Sequence, residues 1–291
     1  MKMKRYAINF SYIGTHYKGS QRRCNKALMD IDTVQGAIES SFQKIKRFKA
    51  PSLIMAGRTD AGVHALCSTA HFDLEKPIDT QYFIRESNKF LLGCGHQIRL
   101  LSCYEVSPNF HARFSAISRT YVYRFLLAND PTFSQIPISE YSRTLHLRSN
   151  PHKFDFERMR RALDLFRGTH DFKSFSAPST NKIEYERRRT YVRSLNIELK
   201  PAQPLLPVDP LSKHFSYWNF IFTSKSYLYH QIRRIVGTLF ALGLNKISEE
   251  EIMTMLQVPG HHNWDRSIDP ALPHGLYLLG INYDEKDIKS T

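Results

Sequence analysis

Gly57-Arg58-Thr59-Asp60-Ala61-Gly62-Val63-His64-Ala65 lies between two stretches of strand character. On its N-terminal side is a short apolar run, Leu53 to Met55. Beyond it Ala70, Phe72 and Leu74 alternate with other residues, as a half-buried strand does. The stretch therefore reads as a loop between strands, with a carboxylate, Asp60, flanked by two glycines and a guanidinium. Glycine permits positive φ and close backbone approach, so the loop can turn tightly and present Asp60 to a ligand. Arg58 cannot lose its charge and favours the ionised carboxylate. An ordinary surface turn with an internal Arg–Asp pair would carry the same short string, so its meaning depends on the sequence around it.

Working outward, strand-like and helix-like segments alternate throughout, which argues for a mixed α+β protein. Tyr6, Ile8, Phe10 and Tyr12 alternate as a first strand. Asp32-x-x-Gln35 has the spacing of a helix start with Gln35 reaching back to the cap, and Val34, Ile38, Phe42 and Ile45 follow helical spacing. A helix is expected around Tyr82 to Phe90 and a strand over Leu101 to Val106. Further on, Tyr121, Tyr123 and Phe125 share a strand face, and Phe156, Met159, Leu163 and Phe166 mark a helix. Leu195, Ile197 and Leu199 form a strand face, as do Trp218, Phe220 and Phe222. Ile232, Ile235, Val236 and Leu239 stripe a helix, and Tyr277, Leu279, Ile281 and Tyr283 give a last strand. Asn129 to Tyr141 and Lys200 to Lys213 read as long loops. The second has prolines at 201, 204, 207 and 210, which argue against a continuous central strand. A boundary between two α+β units is expected near residue 107, giving domains 1–106 and 107–291.

Charge narrows the function. Lys and Arg number 41 against 27 Asp and Glu, a formal net charge of +14 over 291 residues. Such an excess attracts polyanions, of which nucleic acid is the commonest partner. Lys18, Arg22, Arg23, Arg113, Arg119 and Arg187-Arg188-Arg189 are candidate backbone contacts, though any single one also fits a solvated charge. Cys24, Cys67, Cys94 and Cys103 form no C-x-x-C pair, so no structural metal site is expected, and the sparse cysteines fit a reducing compartment. No run approaches the length of a membrane span. Before Asp30 there is no acidic residue, while Lys2, Lys4, Arg5, Lys18, Arg22, Arg23 and Lys26 precede it. Such a start also fits an organelle leader, so cytoplasm or mitochondrion is the expected compartment.

The full string Arg58-Thr59-Asp60-Ala61-Gly62-Val63-His64-Ala65 resembles the signature loop of the TruA family of tRNA pseudouridine synthases. Other blocks match in the family's order. Tyr12-Ile13-Gly14-Thr15-x-Tyr17-x-Gly19-x-Gln21 and Thr33-Val34-Gln35 are similar to its N-terminal strand, loop and helix. Phe110-His111-Ala112-Arg113-Phe114-Ser115-Ala116 and Arg119-x-Tyr121-x-Tyr123 resemble the segment entering the active site. Gly168-Thr169-His170-Asp171-Phe172-x-Ser174-Phe175, His230-Gln231-Ile232-Arg233-Arg234-Ile235-Val236-Gly237 and His274-Gly275-Leu276-Tyr277-Leu278 complete the set. Several ordered blocks along nearly the whole chain are far more specific than any one.

The resemblance implies a pseudouridine synthase fold: two α+β halves with largely antiparallel sheets around a basic central cleft. It implies a tRNA substrate, with other RNA also open, and a homodimer, with no cofactor, metal or membrane involved. Asp60 would be the catalytic nucleophile, Tyr121 the residue on the target uracil, and Arg233 the cation paired with the aspartate. Arg58 would fill the space left by an everted base, and Arg113 would contact the RNA. From the residues alone, Tyr121 reads equally as core, and Arg233 and its neighbour Arg234 as a solvated helix face. Ser20 departs from the family, which usually has Trp there, and Arg22 to Asp32 is less typical. The effect expected of these changes is on which tRNA or uridine is accepted, with Asp60 untouched. A catalytically idle RNA-binding or chaperone protein on the same scaffold, and a hydrolase releasing uracil, are the rival readings.

Overall fold

Strand β1 (Lys4–Tyr12) carries the alternation of Tyr6, Ile8, Phe10 and Tyr12 into a buried face, and Ala7 on the other face is buried too. A strand apolar on both sides belongs inside a sheet, and β1 lies there. The computed structural model, which describes residues 3–22, 30–44, 51–147, 153–178 and 190–288, places β1 between two antiparallel neighbours. These are β3 (His64–Leu74) and β4 (Ile98–Val106). Ile45, expected in the first helix, and Cys24, Arg23, Lys26 and Arg187-Arg188-Arg189 lie outside the described residues. By packing, the chain divides into one unit of Met1–Thr120 with Tyr277–Thr291 and a second of Tyr121–Leu276. Residue 107 stands in the connection after β4, within the first unit.

In the first unit the short β2 (Ile54–Met55) pairs antiparallel with β3, and β10 (Leu276–Tyr283) pairs parallel with its start, Tyr277 opposite His64. Helices α1 (Val34–Lys44) and α2 (Thr80–Gly93) supply Phe42 and Phe83, which meet Phe72 of β3 at ring-centroid distances of 5.3 and 5.5 Å and each other at 4.8 Å. Burying each such side chain stabilises the unit by about 1.5–3 kcal/mol. Asp79 caps α2, its carboxylate accepting from the amides of Gln81 and Tyr82. The start of α1 differs from expectation. Thr33, not Asp32, caps it, with Thr33 Oγ1 accepting from Gly36 N–H, while Asp32 pairs with Lys18. Gln35 is buried and donates to Glu39 and to the Leu53 carbonyl. Its amide serves a carboxylate one turn along the same helix and a carbonyl on the segment before β2, and these buried groups take it in place of the helix cap.

On the opposite side of β1, Ala7, Ala56, Val106, Phe110 and Ala112 form a second core, against which Tyr283 and Ile288 pack. His71 of β3 is fully buried there, and its Nδ1 accepts from Ala112 N–H at 3.1 Å. Burial, aided by the nearby Arg5 cation, pushes its pKa down to about 4. At neutral pH it is therefore an uncharged acceptor tying β3 to the segment that follows β4.

In the second unit β5 (Ala116–Ala128), whose first residues belong to the first unit, lies beside β9 (Phe215–Ser224). Next come β8 (Val192–Ala202), antiparallel to β9, and β7 (Gly168–Asp171), antiparallel to β8, and β6 (Leu145–His146) pairs with β5. Helices α3 (Phe156–Arg161) and α4 (Leu163–Phe166), interrupted at Ala162, bury Met159, Leu163 and Phe166 as their spacing predicts. Helix α5 (Gln231–Gly243) buries its whole predicted stripe and sets Phe240 against Phe125 and Phe220, at 5.1 and 6.0 Å. It is followed by α6 (Glu249–Gln257), and after β10 by α7 (Glu285–Ile288). Both units are thus α+β, as the alternating segments predict, with mainly antiparallel pairing, as the family resemblance implies.

The two long loops are less free than their composition implies. Glu140, fully buried, accepts from Leu205 N–H at 2.6 Å and from the Thr144 hydroxyl, with Arg124 3.7 Å away. Phe133 stacks on His214 at 3.9 Å. The strand β8 also runs further than expected, through Pro201, which faces Trp218 of β9. Proline is tolerated because β7 covers only Val192 to Leu195, so among the described residues no strand lies on the outer side of β8 at Pro201 to require a donor. Among the described residues, no helix is long and apolar enough to cross a membrane.

Candidate active site

The loop from Gly57 to Val63 owes its shape to its backbone. Val63 N–H donates to the Asp60 carbonyl at 3.2 Å, closing a turn in which Gly62 has φ +81°. That sign at the third position is the signature of a type II turn, which a side-chain-bearing residue adopts only with strain. Gly62 therefore does what the spacing suggests. Gly57 does not: its φ is ordinary, and a Cβ there would meet only Arg119 Nε, at 3.8 Å.

The segment after β1 clasps this turn. Tyr12, at the end of β1, shares a 2.8 Å hydrogen bond between its hydroxyl and Thr59 Oγ1. Gly14 lies so close that a Cβ would stand 1.9 Å from the Val63 carbonyl oxygen, and Gly14 N–H donates to His64 Nδ1 at 2.9 Å. His64 is fully buried against the Tyr277 ring, at 4.6 Å. Ser20, only 1% exposed, accepts from Thr59 N–H through its hydroxyl at 2.8 Å and donates its own N–H to the Thr59 carbonyl at 3.2 Å. The block Tyr12 to Gln21 is thus a cradle for the residue before Asp60. None of these bonds uses the Asp60 carboxylate, and Asp60 as a residue is half-buried.

Ser20 was expected to bear on substrate choice and to leave Asp60 alone; the structure puts its hydroxyl one residue from Asp60. The signal was available, since a small hydroxyl residue beside a glycine can accept from backbone where Trp, a donor only, cannot. Ser20→Ala is expected to leave Thr59 N–H buried without its acceptor and to lower stability by about 1–3 kcal/mol. Urea denaturation measures this, and an unchanged midpoint would show that the loop is braced elsewhere.

The remaining predicted residues fall in both units. Arg58 is exposed in the first, its Nε donating to the Gln21 side chain. Arg113 is exposed there also, its guanidinium 5.7 Å from the Phe114 ring centroid. Arg119 is buried, and its Nη2 donates both to the Ala56 carbonyl at 2.9 Å and to the Arg113 carbonyl at 3.0 Å. It is a structural tie between the entry to the Asp60 loop and the Arg113 turn, and so no longer a candidate for phosphate.

Tyr121 and Arg233 stand in the second unit. Tyr121, 8% exposed, packs edge-on to Tyr227 at 5.1 Å. Neither Arg233 nor Arg234 lies on a solvated helix face. Arg234 donates to the carbonyls of Ser174 and Ser176, lies 4.5 Å from the Trp264 ring centroid, and has its pKa lowered by burial. It is committed to packing. Arg233 donates through Nε to the Ala271 carbonyl at 2.7 Å, and its Nη1 lies 3.3 Å from His230 Nε2. Guanidinium can only donate, so that imidazole nitrogen must carry no proton. His230 itself sits at φ +61°, a left-handed conformation costly for a residue with a side chain, at the head of α5.

A family model described as tRNA pseudouridine synthase matches residues 162–284. A Xenopus laevis protein named tRNA pseudouridine synthase-like 1 is 30% identical over 291 residues, spanning 98% of this chain and 93% of that protein. Its Homo sapiens namesake is 30% identical over 289 residues, 96% of this chain and 90% of its own length. A tRNA pseudouridine synthase A of Exiguobacterium sp. is 33% identical over 287 residues, 98% of this chain and 100% of that protein. The family model begins after the Asp60 loop, whereas these relatives align with nearly all of the chain.

Proposed function

The chain belongs to the TruA-type tRNA pseudouridine synthase family, and on that premise we propose that it isomerises a uridine of tRNA to pseudouridine with Asp60 as the nucleophile. The observation that carries the reading is a half-buried aspartate, Asp60, on a turn fixed by Tyr12, Gly14 and Ser20. A group held in this way loses little orientation freedom when substrate arrives.

The reaction breaks the N1–C1′ bond, turns the uracil, and rejoins it to C1′ through C5; C5 gives up its proton and N1 gains one. Product and substrate are isomers, so atoms and electrons balance without an oxidant or an energy source. Asp60 can serve by attack at C1′, by attack at C6, or by taking a ribose proton, and each route needs the carboxylate form. Tyr121 against the uracil, Arg233 as the cation serving the carboxylate, Arg58 in the space of the everted base and Arg113 on the RNA are roles that rest on the family resemblance. Eversion costs a few kcal/mol of stacking and pairing. The net charge of +14 supports long-range capture of a polyanion. A basic cleft, a homodimer, and residence in cytoplasm or mitochondrion belong to the same proposal.

The test is mapping pseudouridine at nucleotide resolution in RNA from cells with and without the protein. Loss of discrete tRNA sites is expected. Sites confined to mRNA or rRNA would overturn the tRNA assignment, and free uracil with abasic RNA would replace isomerisation by hydrolysis. RNA binding with no site lost would leave a catalytically idle RNA-binding or chaperone protein.

A further inference from the structure

Phe114 is 73% exposed, yet it is not on a loose loop. The turn that bears it is closed by Phe114 N–H and Ser115 N–H on the His111 carbonyl, at 3.1 and 2.9 Å, and by His111 N–H on the Ser115 hydroxyl at 3.1 Å. His111 Nδ1 accepts from the amides of Arg113 and Phe114, at 3.2 and 3.3 Å, so it is unprotonated and holds the turn from inside. The His111 ring backs the Phe114 ring at 4.3 Å and meets the buried His71 ring at 4.8 Å, which anchors the stack in the core. Arg113 flanks the outer ring, and Arg119 joins the carbonyl of Arg113 to that of Ala56, directly before the Asp60 loop.

A rigid, outward-facing aromatic beside an exposed cation is the pairing that single-stranded nucleic acid meets in proteins: a π-face for a base and a guanidinium for its backbone. The chain's positive charge disfavours a cationic or neutral apolar occupant, and the exposed ring favours, among polyanions, one that carries flat bases, which describes RNA. Resting on the reading of the protein as an RNA-modifying enzyme, we propose that Phe114 is a stacking platform for an unpaired base of the RNA substrate, with Arg113 serving the adjoining phosphate.

The test compares full-length wild type, Phe114→Ala, Phe114→Tyr and Arg113→Ala for binding to an unmodified tRNA transcript over a salt series. Phe114→Ala is expected to raise Kd about tenfold with the salt slope unchanged, and Phe114→Tyr to bind like wild type. Arg113→Ala is expected to weaken binding and to reduce the slope by about one. In Phe114→Trp, the added indole is expected to be quenched by RNA beyond the response of Trp218 and Trp264 in wild type. A Phe114→Ala protein with wild-type Kd, or an added indole indifferent to RNA, overturns the platform even where wild type binds and converts uridine. A Phe114→Ala change in oligomeric state with RNA affinity kept would overturn it in favour of a second copy of the chain. Wild type that binds RNA through Phe114 but makes no pseudouridine would sink the synthase reading and leave the platform; absence of all RNA binding would sink both.

Discussion

Asp60→Ala is expected to reduce pseudouridine formation on the order of 10³-fold or more, while affinity for unmodified tRNA stays within a few-fold of wild type. The separation follows from how the loop is built. Its turn is closed by backbone, and its flank is held by the Tyr12 hydroxyl, the Ser20 hydroxyl and Gly14. Those supports survive loss of the carboxylate, so the variant should fold with a normal melting temperature. Capture of RNA depends on many positive charges, and removing one negative charge does not weaken it. Asp60→Asn, of nearly the same shape, should be as inactive as the alanine form, because the amide is neither a nucleophile of comparable strength nor a base. Single-turnover conversion of a tRNA transcript, read beside a binding titration, measures both quantities. Either variant keeping even a tenth of wild-type turnover would remove Asp60 from the chemistry.

Gly14→Ala tests the cradle. The added Cβ would stand 1.9 Å from the Val63 carbonyl oxygen and 2.6 Å from its carbon. Both are backbone atoms of the strand entry that follows the Asp60 turn, so no side-chain rotation relieves the collision. Either β1 and its following turn move away from β3 or the Asp60 turn moves, and the Gly14–His64 hydrogen bond is lost in both cases. A destabilisation of about 3 kcal/mol or more is expected, a large part of what holds a typical domain folded. Whatever folds should have turnover reduced more than RNA affinity. Gly280→Ala is the control, since nothing lies within 4 Å of a Cβ at that position of β10. Urea midpoints for the two variants decide it; equal midpoints would mean that the close approach at Gly14 does not constrain the turn.

Much of this molecule is written in residue order. Strands β1, β5 and β9 follow from period-two alternation, and α5 from its apolar stripe, because a half-buried strand or helix has one face to fill whatever lies opposite. The Asp60 turn follows from Gly62, whose positive φ is a local requirement. What depended on distant partners was not legible. Gln35 has the spacing of a capping partner, yet its side chain is buried and donates to Glu39 and to the Leu53 carbonyl, within a network in which Leu53 N–H also donates to Glu39. Pro201 stays in a strand because β7 ends before reaching it. Arg233 and Arg234 look alike in sequence, but Arg234 packs against Trp264 and donates to two carbonyls, while Arg233 donates to the Ala271 carbonyl and meets His230.

Residue order alone accounts for the alternating elements, the tight turn at Gly62 and the family blocks, since each depends on covalent spacing, chirality or the chemistry of one residue type. It took the folded chain to make Ser20 a brace for Thr59 and Arg119 a tie between two carbonyls, and to turn Phe114 outward on a hydrogen-bonded turn. A side chain's destination is a competition among all the donors, acceptors and apolar surfaces that folding brings near it, and that set does not exist until the chain has closed on itself.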